Sequence, residues 1–332
     1  MSGIIPEAIG RFKLIEVAAM GGMTTIYRGV NTEDGQAVAV KVLPEVFGKR
    51  EEMVERFKRE ARVYMTLSHE SIPKVYDFGV ANGRYYLVME WIDGIDLQRW
   101  ISQRSALPGN PAWIDIFSGI CRGVDAAHFQ GILHRDLSAR NVIVLPNGHV
   151  RIADFGLSKL VEEAHFTITG EVLGTPHYSA PEQIESSKDV TASADIWSLG
   201  VLGYQIATGQ IPFDGENHIA VIRKILDPNI EFIPPRALNP LLSVRSESVI
   251  IKCLRRELSG RYRKVIDILS DLEGHPDVPV EDMPAPRVGR RRRSYAPAVA
   301  AVVAILAASL LSYLWLGRAA PPAPEPAPAF LS

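Results

Sequence analysis

Cysteine is nearly missing from the 332-residue chain, which holds only Cys121 and Cys253. Two thiols 132 positions apart form neither a disulfide framework nor a metal-ligand cluster, and a reducing compartment is expected for the part that carries them. The amino terminus, MSGIIPEAIGRFK, lacks the charged stretch and apolar run of a secretory signal, so no export of the body is expected. A basic excess is missing too. Up to residue 286 there are 30 basic and 37 acidic residues, a formal charge of −7. That balance excludes nucleic acid as the main partner, because duplex binding needs a basic face that releases counterions. No internal repeat is visible. With 47 % hydrophobic and 22 % charged residues, neither a disordered nor a collagen-like reading survives.

Long apolar runs are scarce, with one exception. Ala296 to Leu316 (APAVAAVVAILAASLLSYLWL) is 21 residues without a charge. At about 1.5 Å per residue a helix there is roughly 32 Å long, enough for a bilayer core of about 30 Å. A buried core helix is the other reading, and the flanks disfavour it: Arg287 and Arg290 to Arg293 precede the run and only Arg318 follows. Positive residues stay cytoplasmic. A transmembrane helix over 296–316 is therefore expected, with residues 1–295 on the cytoplasmic side of an inner or plasma membrane. Residues 274–295 then form a juxtamembrane linker, and 317–332 a Pro/Ala-rich extracytoplasmic tail in polyproline form. The arginines act as a topology signal alone, or also hold anionic headgroups.

The length exceeds one ordinary domain of about 150 residues. Residues 11 to about 91 hold short β-rich runs (RFKLIEVAA, TTIYRGV, AVAVKVL, KVYDFGV, YYLVMEW) around one charged helical stretch, EEMVERFKREARVYMTL. From about 92 to 273 the apolar period is mostly helical, broken by Gly/Pro loops. The expected fold class is α+β: a β-rich lobe, an α-rich lobe, and the C-terminal transmembrane helix.

The densest chemical signal is ILHRDLSARNVIVLPNGHVRIADFGLSK, residues 132–159. One acid alone in it reads as a loop cap or a solvated charge. The joint spacing does not. His134-Arg135-Asp136, Asn141 five residues after the Asp, and Asp154-Phe155-Gly156 thirteen after the Asn match the catalytic loop and metal-binding triplet of protein kinases. From about residue 11 to 273 the chain resembles a protein kinase, and in particular the bacterial membrane Ser/Thr kinases of eukaryotic type. The resemblance implies a two-lobed kinase domain (lobes about 11–91 and 92–273) that uses ATP with Mg²⁺, or Mn²⁺ in its place.

By the same resemblance, Asp136 orients the acceptor hydroxyl and receives its proton, while Asn141 and Asp154 hold the metal with the oxygen ligands it favours. Lys41, closing AVAVK, looks like the lysine of the α- and β-phosphates. Glu60, nineteen residues later, looks like the helix carboxylate that positions it; Glu51, Glu52 and Glu55 compete on charge, and the register of FKREARVYMTLSHESI favours Glu60. LVMEWIDGIDL resembles the hinge between lobes. Met89 would be its gatekeeper, backbone groups of Glu90 and Ile92 would meet adenine, and Asp96 would reach the ribose. The phosphate-covering loop falls on Ala18 to Ile26, with Ala19, Gly21 and Thr24 at its three glycine positions, Met20, Gly22 and Met23 between them and Thr25 after them. Glycine permits positive φ and close backbone approach. Ala19 and Thr24 depart from that pattern and imply a stiffer flap.

A second departure is Ser138, where Ser/Thr kinases carry lysine. HRDLSARN resembles instead the tyrosine-kinase form, in which an arginine, here Arg140, serves the transferred phosphate. LGTPHYSAPE, with Thr175, resembles the Ser/Thr form. Serine and threonine of proteins near the membrane are the expected acceptors; a tyrosine or dual-specificity kinase, or a silent membrane-anchored scaffold, are the alternatives. In such kinases the arginine before the base, here Arg135, pairs with a phosphate on the activation segment. Thr167 and Thr169 are the candidate acceptors here, and their phosphorylation in trans within a transient homodimer is the expectation. Glu182 and Arg261 resemble a buried ion pair of the C-lobe, and Asp195 a residue that holds the catalytic loop's backbone. His69 and His128 have no ligand-set spacing and read as core or surface.

Overall fold

Side-chain alternation across a six-stranded sheet shapes the first half of the protein. The computed structural model describes residues 8–20, 24–43, 48, 51–103, 112–155, 176–186 and 191–273. Its first elements are β1 (Ala8–Ile9), β2 (Phe12–Met20), β3 (Thr25–Asn31), β4 (Ala37–Val42), α1 (Glu51–Thr66), β5 (Val75–Ala81) and β6 (Arg84–Glu90). The strands form an antiparallel sheet in the order β1-β2-β3-β4-β6-β5. β4 lies inside it, paired with β3 and β6. Successive residues of a strand point to opposite faces, and the two faces of β4 enter different cores. Val38, Val40 and Val42 join Phe12, Leu14, Tyr86 and Val88 in a small cluster. Ala39 and Leu43 join Leu87 and Met89 in the main one. Lys41 has the parity of the second set, and so does its cross-strand partner Leu87.

Helix α1 covers that second face. Val54, Phe57, Ala61 and Tyr64 recur at helical spacing and are all buried in the main core. The expected helix and β-rich lobe are thus both present. The short strand β1 had no signature in the sequence.

The second half contains β7 (Ile95–Asp96), α2 (Leu97–Gln103), α3 (Ala112–Phe129), β8 (Val142–Val144), β9 (Val150–Ile152), a 3-10 turn (Pro176–Tyr178), α4 (Pro181–Glu185), α5 (Ala192–Thr208), α6 (His218–Leu226), α7 (Pro235–Leu238), α8 (Val244–Cys253) and α9 (Val265–Glu273). Helix α5 is its axis: every residue from Ala194 to Ala207 is buried. Thr191 caps it at the start, accepting from the Ser193 N–H, and Gly209 at φ 75° ends it in the left-handed conformation. A three-stranded sheet, β7-β8-β9, lies within this helical half. Asn147 and Gly148 turn β8 back on β9, with Gly148 at φ 84°. Asn141 directly precedes one strand of this hairpin and Asp154 follows the other by two residues. Cys121 and Cys253 are both buried as free thiols.

Among the described residues no helix is long and apolar enough to cross a membrane. The expected span 296–316, its flanks, Gly21, Gly22, Met23, Gly156, Thr167, Thr169 and Thr175 lie outside the described residues.

Candidate active site

The parity of β4 sends Lys41 into the space between the sheet and the β8–β9 hairpin. Its side chain is 3 % exposed, and Nζ lies 2.6 Å from Asp154 Oδ1. Such a burial is tolerated only with a charge partner. Burial raises the Asp154 pKa, but the charge and hydrogen bond of Lys41, with His134 nearby, outweigh it and hold the carboxyl below its ordinary range. Asp154 is therefore ionised at neutral pH. Its backbone is held at φ 61°, a conformation uncommon outside glycine.

The hairpin also fixes Asn141. Its carbonyl accepts from the Ala153 N–H at 2.8 Å, and its side-chain Nδ2 donates to the Asp136 carbonyl at 2.8 Å and to Asp136 Oδ2 at 3.2 Å. Three residues spread over 19 positions are brought together by one tight turn. Arg140, next to Asn141, is exposed.

Behind them stands Asp195 of α5, 1 % exposed. Its carboxylate accepts from the N–H groups of His134 and Arg135, each at 2.8 Å, and lies 2.7 Å from His128 Nε2. Gln183 of α4 grips the same loop from another side, donating to the Arg135 carbonyl at 3.1 Å. These contacts hold Arg135 at φ 65°. Such backbone strain persists only where the surroundings over-determine it. Phe155 is buried against His134, with ring centroids 4.6 Å apart, and against Tyr64 of α1 at 5.9 Å. The Phe155 N–H donates to the Tyr64 hydroxyl at 2.6 Å, a direct tie between the helix of the first lobe and the strand end that carries Asp154.

The remaining expected residues line the connection between lobes and the first hairpin. Met89 pairs with Ala39 across the sheet. Glu90 ends β6; its carboxylate accepts from the Lys74 N–H at 3.3 Å and meets Arg151 of β9 at 3.5 Å. Ile92 is half-buried in the connection that follows. There the chain runs so close to β8 that a Cβ on Gly94 would stand 2.6 Å from the Val144 carbonyl. Asp96 accepts from the Arg99 N–H at 2.8 Å and so caps α2. At the loop end of the β2–β3 hairpin Ala19 pairs with Ile26 and Met20 with Thr25, while Ala18 falls at a register shift. Thr24 leads into β3. The backbone of Glu60 is one helical turn from Phe57 and Tyr64 in α1; its side chain lies outside the described residues.

A buried cation against an ionised carboxylate, an amide-linked Asp–Asn pair beside them and a strained, over-braced loop form a site built to hold charge. A family model of the protein kinase domain matches residues 12–269. The chain belongs to that family. PrkC of Bacillus subtilis, named a serine/threonine-protein kinase, is 31 % identical over 264 residues, 80 % of this chain and 40 % of PrkC. PknA of Mycobacterium tuberculosis, likewise named, is 36 % identical over 259 residues, 76 % of this chain and 58 % of that protein. This kinase chain thus spans less than two thirds of the length of these curated relatives. The crystal structure of the Mycobacterium tuberculosis PknI kinase domain matches with a TM-score of 0.62 and 23 % identity, over 81 % of this chain and 98 % of that one, a likeness of fold.

Three supports of the kinase site were missed in the sequence: Tyr64, His128 and Gln183. His128 is the clearest correction. It has no ligand-set spacing, yet it props the Asp195 carboxylate. Only its distance from Asp195 in space, not in sequence, reveals this.

Asp195 gives the kinase domain an acid-sensitive brace. Burial raises its pKa, and the hydrogen bond and charge of His128, with His134, more than offset that, so the carboxyl sits below its ordinary range. A folded-state pKa lower than the unfolded one stabilises the fold above the unfolded value, and this contribution is lost as pH falls through the folded one. The stability gap between the parental protein and Asp195→Asn is therefore expected to narrow as pH falls below the ordinary aspartate range of about 4. Urea unfolding at stepped pH measures it; a constant or widening gap contradicts the assignment.

Proposed function

We propose that this kinase domain transfers the γ-phosphate of ATP to serine and threonine hydroxyls of proteins. The observation that carries the reading is the convergence of Lys41, Asp136, Asn141 and Asp154 from separate segments, with the 2.6 Å and 3.2 Å contacts joining them in pairs. In the transfer a bond forms between the acceptor oxygen and the γ-phosphorus, the bond to the β-phosphate oxygen breaks, and the acceptor proton passes to Asp136. Lys41 supplies a fixed positive charge for the α- and β-phosphates, and Glu60 is assigned to steady it. Arg140 takes the place of the lysine that Ser138 removes. Backbone groups of Glu90 and Ile92 serve adenine, and the Asp96 oxygen not used in capping serves the ribose.

The donors suit Mg²⁺. Asn141 donates to Asp136 through Nδ2, so its side-chain Oδ1 is not used in that bond, and Lys41 takes Oδ1 of Asp154, which leaves Oδ2. Among the described residues no three His, Cys, Asp or Glu side chains form a metal cage. Two oxygen ligands shared with phosphates and water are the arrangement Mg²⁺ favours. When bound, the ion neutralises charge that develops on the phosphate oxygens.

The naming of PrkC and PknA as serine/threonine-protein kinases supports serine and threonine as acceptors, as does the GTPHYSAPE segment. The uncharged run 296–316 and the arginines before it support attachment to a membrane by that segment, with the kinase domain cytoplasmic, the C-terminus outside and substrates close to the bilayer. Arg135 supports a switch in which one copy phosphorylates Thr167 or Thr169 of another. One experiment tests these parts: full-length protein in membrane vesicles with labelled ATP and Mg²⁺, followed by phosphoamino-acid analysis and site mapping. Label on serine and threonine, including Thr167 or Thr169, is expected, together with release from vesicles on truncation after residue 295. Mainly phosphotyrosine refutes the acceptor class; a truncated protein still in the vesicle fraction refutes the anchor; no label at all leaves the scaffold reading.

A further inference from the structure

Two arginines, one from each half of the kinase domain, hold two consecutive residues of the connection between lobes. Arg28 of β3 places its guanidinium 5.3 Å from the centre of the Trp91 ring, within the range of a cation–π contact. Its Nη1 also donates to Glu16 of β2 at 3.3 Å, so the cation is tied to the hairpin whose loop end carries Ala19, Met20 and Thr25. Arg151 of β9 comes from the other half, with Nη2 3.5 Å from Glu90 Oε1. The second oxygen of that carboxylate accepts from the Lys74 N–H at 3.3 Å, and the Glu90 N–H donates to the Lys74 carbonyl at 2.8 Å. Glu90 is thereby fixed through side chain and main chain together.

The Arg151 side chain is 19 % exposed, and its Nε is buried with no hydrogen-bond partner among the described residues. A buried donor left unsatisfied costs free energy, and an apolar side chain of similar length fills such a space without that cost. What the arginine supplies and an apolar residue cannot is the grip on Glu90. Further along, Gly94 lies against the Val144 carbonyl and Ile95 pairs with Val144, so the connection is anchored at its far end as well. Because the Glu90 N–H is spent on Lys74, the main-chain group this residue can offer a base is its carbonyl.

We propose that Arg28 and Arg151 are positioning residues for the adenine of ATP: they clamp Trp91 and Glu90 and so fix the main chain from Glu90 to Ile92 where it meets the base. The inference deepens the reading that this backbone serves adenine and rests on it. Neither guanidinium is assigned a contact with the nucleotide. A shifted main-chain donor or acceptor weakens its hydrogen bonds to the base, and these are the same in the ground and transition states. The loss therefore falls on KM and spares kcat.

The test is steady-state phosphorylation of myelin basic protein by the full chain over a range of ATP, beside inhibition by adenosine, which carries base and ribose without phosphate. Arg151→Met is expected to raise the ATP KM about fivefold and the adenosine Ki by the same factor, with kcat per folded protein within about twofold. Glu90→Gln keeps one acceptor oxygen and is expected to raise both about threefold; the double variant matches Arg151→Met, because both changes remove one contact. Arg151→Lys retains the charge and is expected to recover most of the affinity. Arg28→Met, at an exposed position, is expected to raise both constants about twofold to threefold. Unchanged constants in Arg151→Met or Arg28→Met, a kcat that falls while KM holds, or losses that multiply in the double variant overturn the clamp. If Arg151→Met does not fold, Glu90→Gln and Arg28→Met decide by the same criteria. A parental protein that neither transfers phosphate nor binds adenosine in calorimetric titration removes the kinase reading itself, and the clamp with it.

Discussion

Asp136→Asn is expected to lower phosphoryl transfer by about 10²- to 10⁴-fold while leaving ATP affinity within about threefold of the parental value. The size follows from what the substitution takes away. The backbone at this position is held independently of the carboxylate: Asn141 Nδ2 donates to the Asp136 carbonyl at 2.8 Å, and the Asp136 N–H donates to His134 Nδ1 at 3.3 Å. An asparagine side-chain oxygen can still accept the 3.2 Å bond that Asn141 now makes to Oδ2. The loop therefore stays in place, and the one property lost is the ability to orient and accept a proton. Lys41 and Asp154 are untouched, so nucleotide binding persists. Initial rates with labelled ATP, beside calorimetric titration with ATP and Mg²⁺, separate the two quantities. A variant that transfers within tenfold of the parental rate would mean that Asp136 is not the base.

The parts of this site that were legible in the sequence are those carried by charge at fixed local spacing. Asn141 and Asp154 flank a hairpin whose Asn-Gly turn is itself a sequence signal, so thirteen intervening positions translate into one geometry. Lys41 was legible only through AVAVK and its resemblance to the kinase lysine; a lysine at a strand end reads by itself as surface, and it is the strand pairing that puts it on the face of Leu87 and Met89. Glu182, Arg261 and Asp195 were expected as braces, and the structure places them so. What stayed hidden depends on contacts between distant segments with no charge to announce them. Tyr64 reads as one more apolar position of α1, yet its hydroxyl takes the Phe155 N–H across 91 positions. Gln98 and Gln205 meet over 107 positions as two neutral amides. Neither propensity nor periodicity encodes such a bond. The three-stranded sheet was obscured because its strands are two or three residues long, too short for an alternating pattern to register.

Arg261→Ala is expected to destabilise the fold by about 3–5 kcal/mol, the range for removing one partner of a buried pair. The Arg261 side chain is fully buried and grips Glu182 with two parallel bonds, 2.8 Å and 2.9 Å. It also donates to the carbonyls of Ser193 and Arg256 at 3.0 Å and 3.1 Å, and its guanidinium lies 5.0 Å from the centre of the Trp197 ring. Truncation leaves a carboxylate and several carbonyls without donors, and water reaches few of them. Glu182→Gln is milder, about 1–3 kcal/mol, because the amide oxygen still accepts one bond and no uncompensated anion remains. The order of the two variants is itself diagnostic: a packing role for the arginine stem alone would leave Glu182→Gln silent. Urea unfolding of the full chain measures both, and a loss below about 1 kcal/mol for Arg261→Ala would contradict the buried-pair account. The effect extends to transfer. Glu182 adjoins Gln183, which holds the Arg135 carbonyl, so an α4 released from Arg261 loosens the loop that presents Asp136. Folded Arg261→Ala protein is therefore expected to be slow as well as fragile, whereas Asp136→Asn is slow alone.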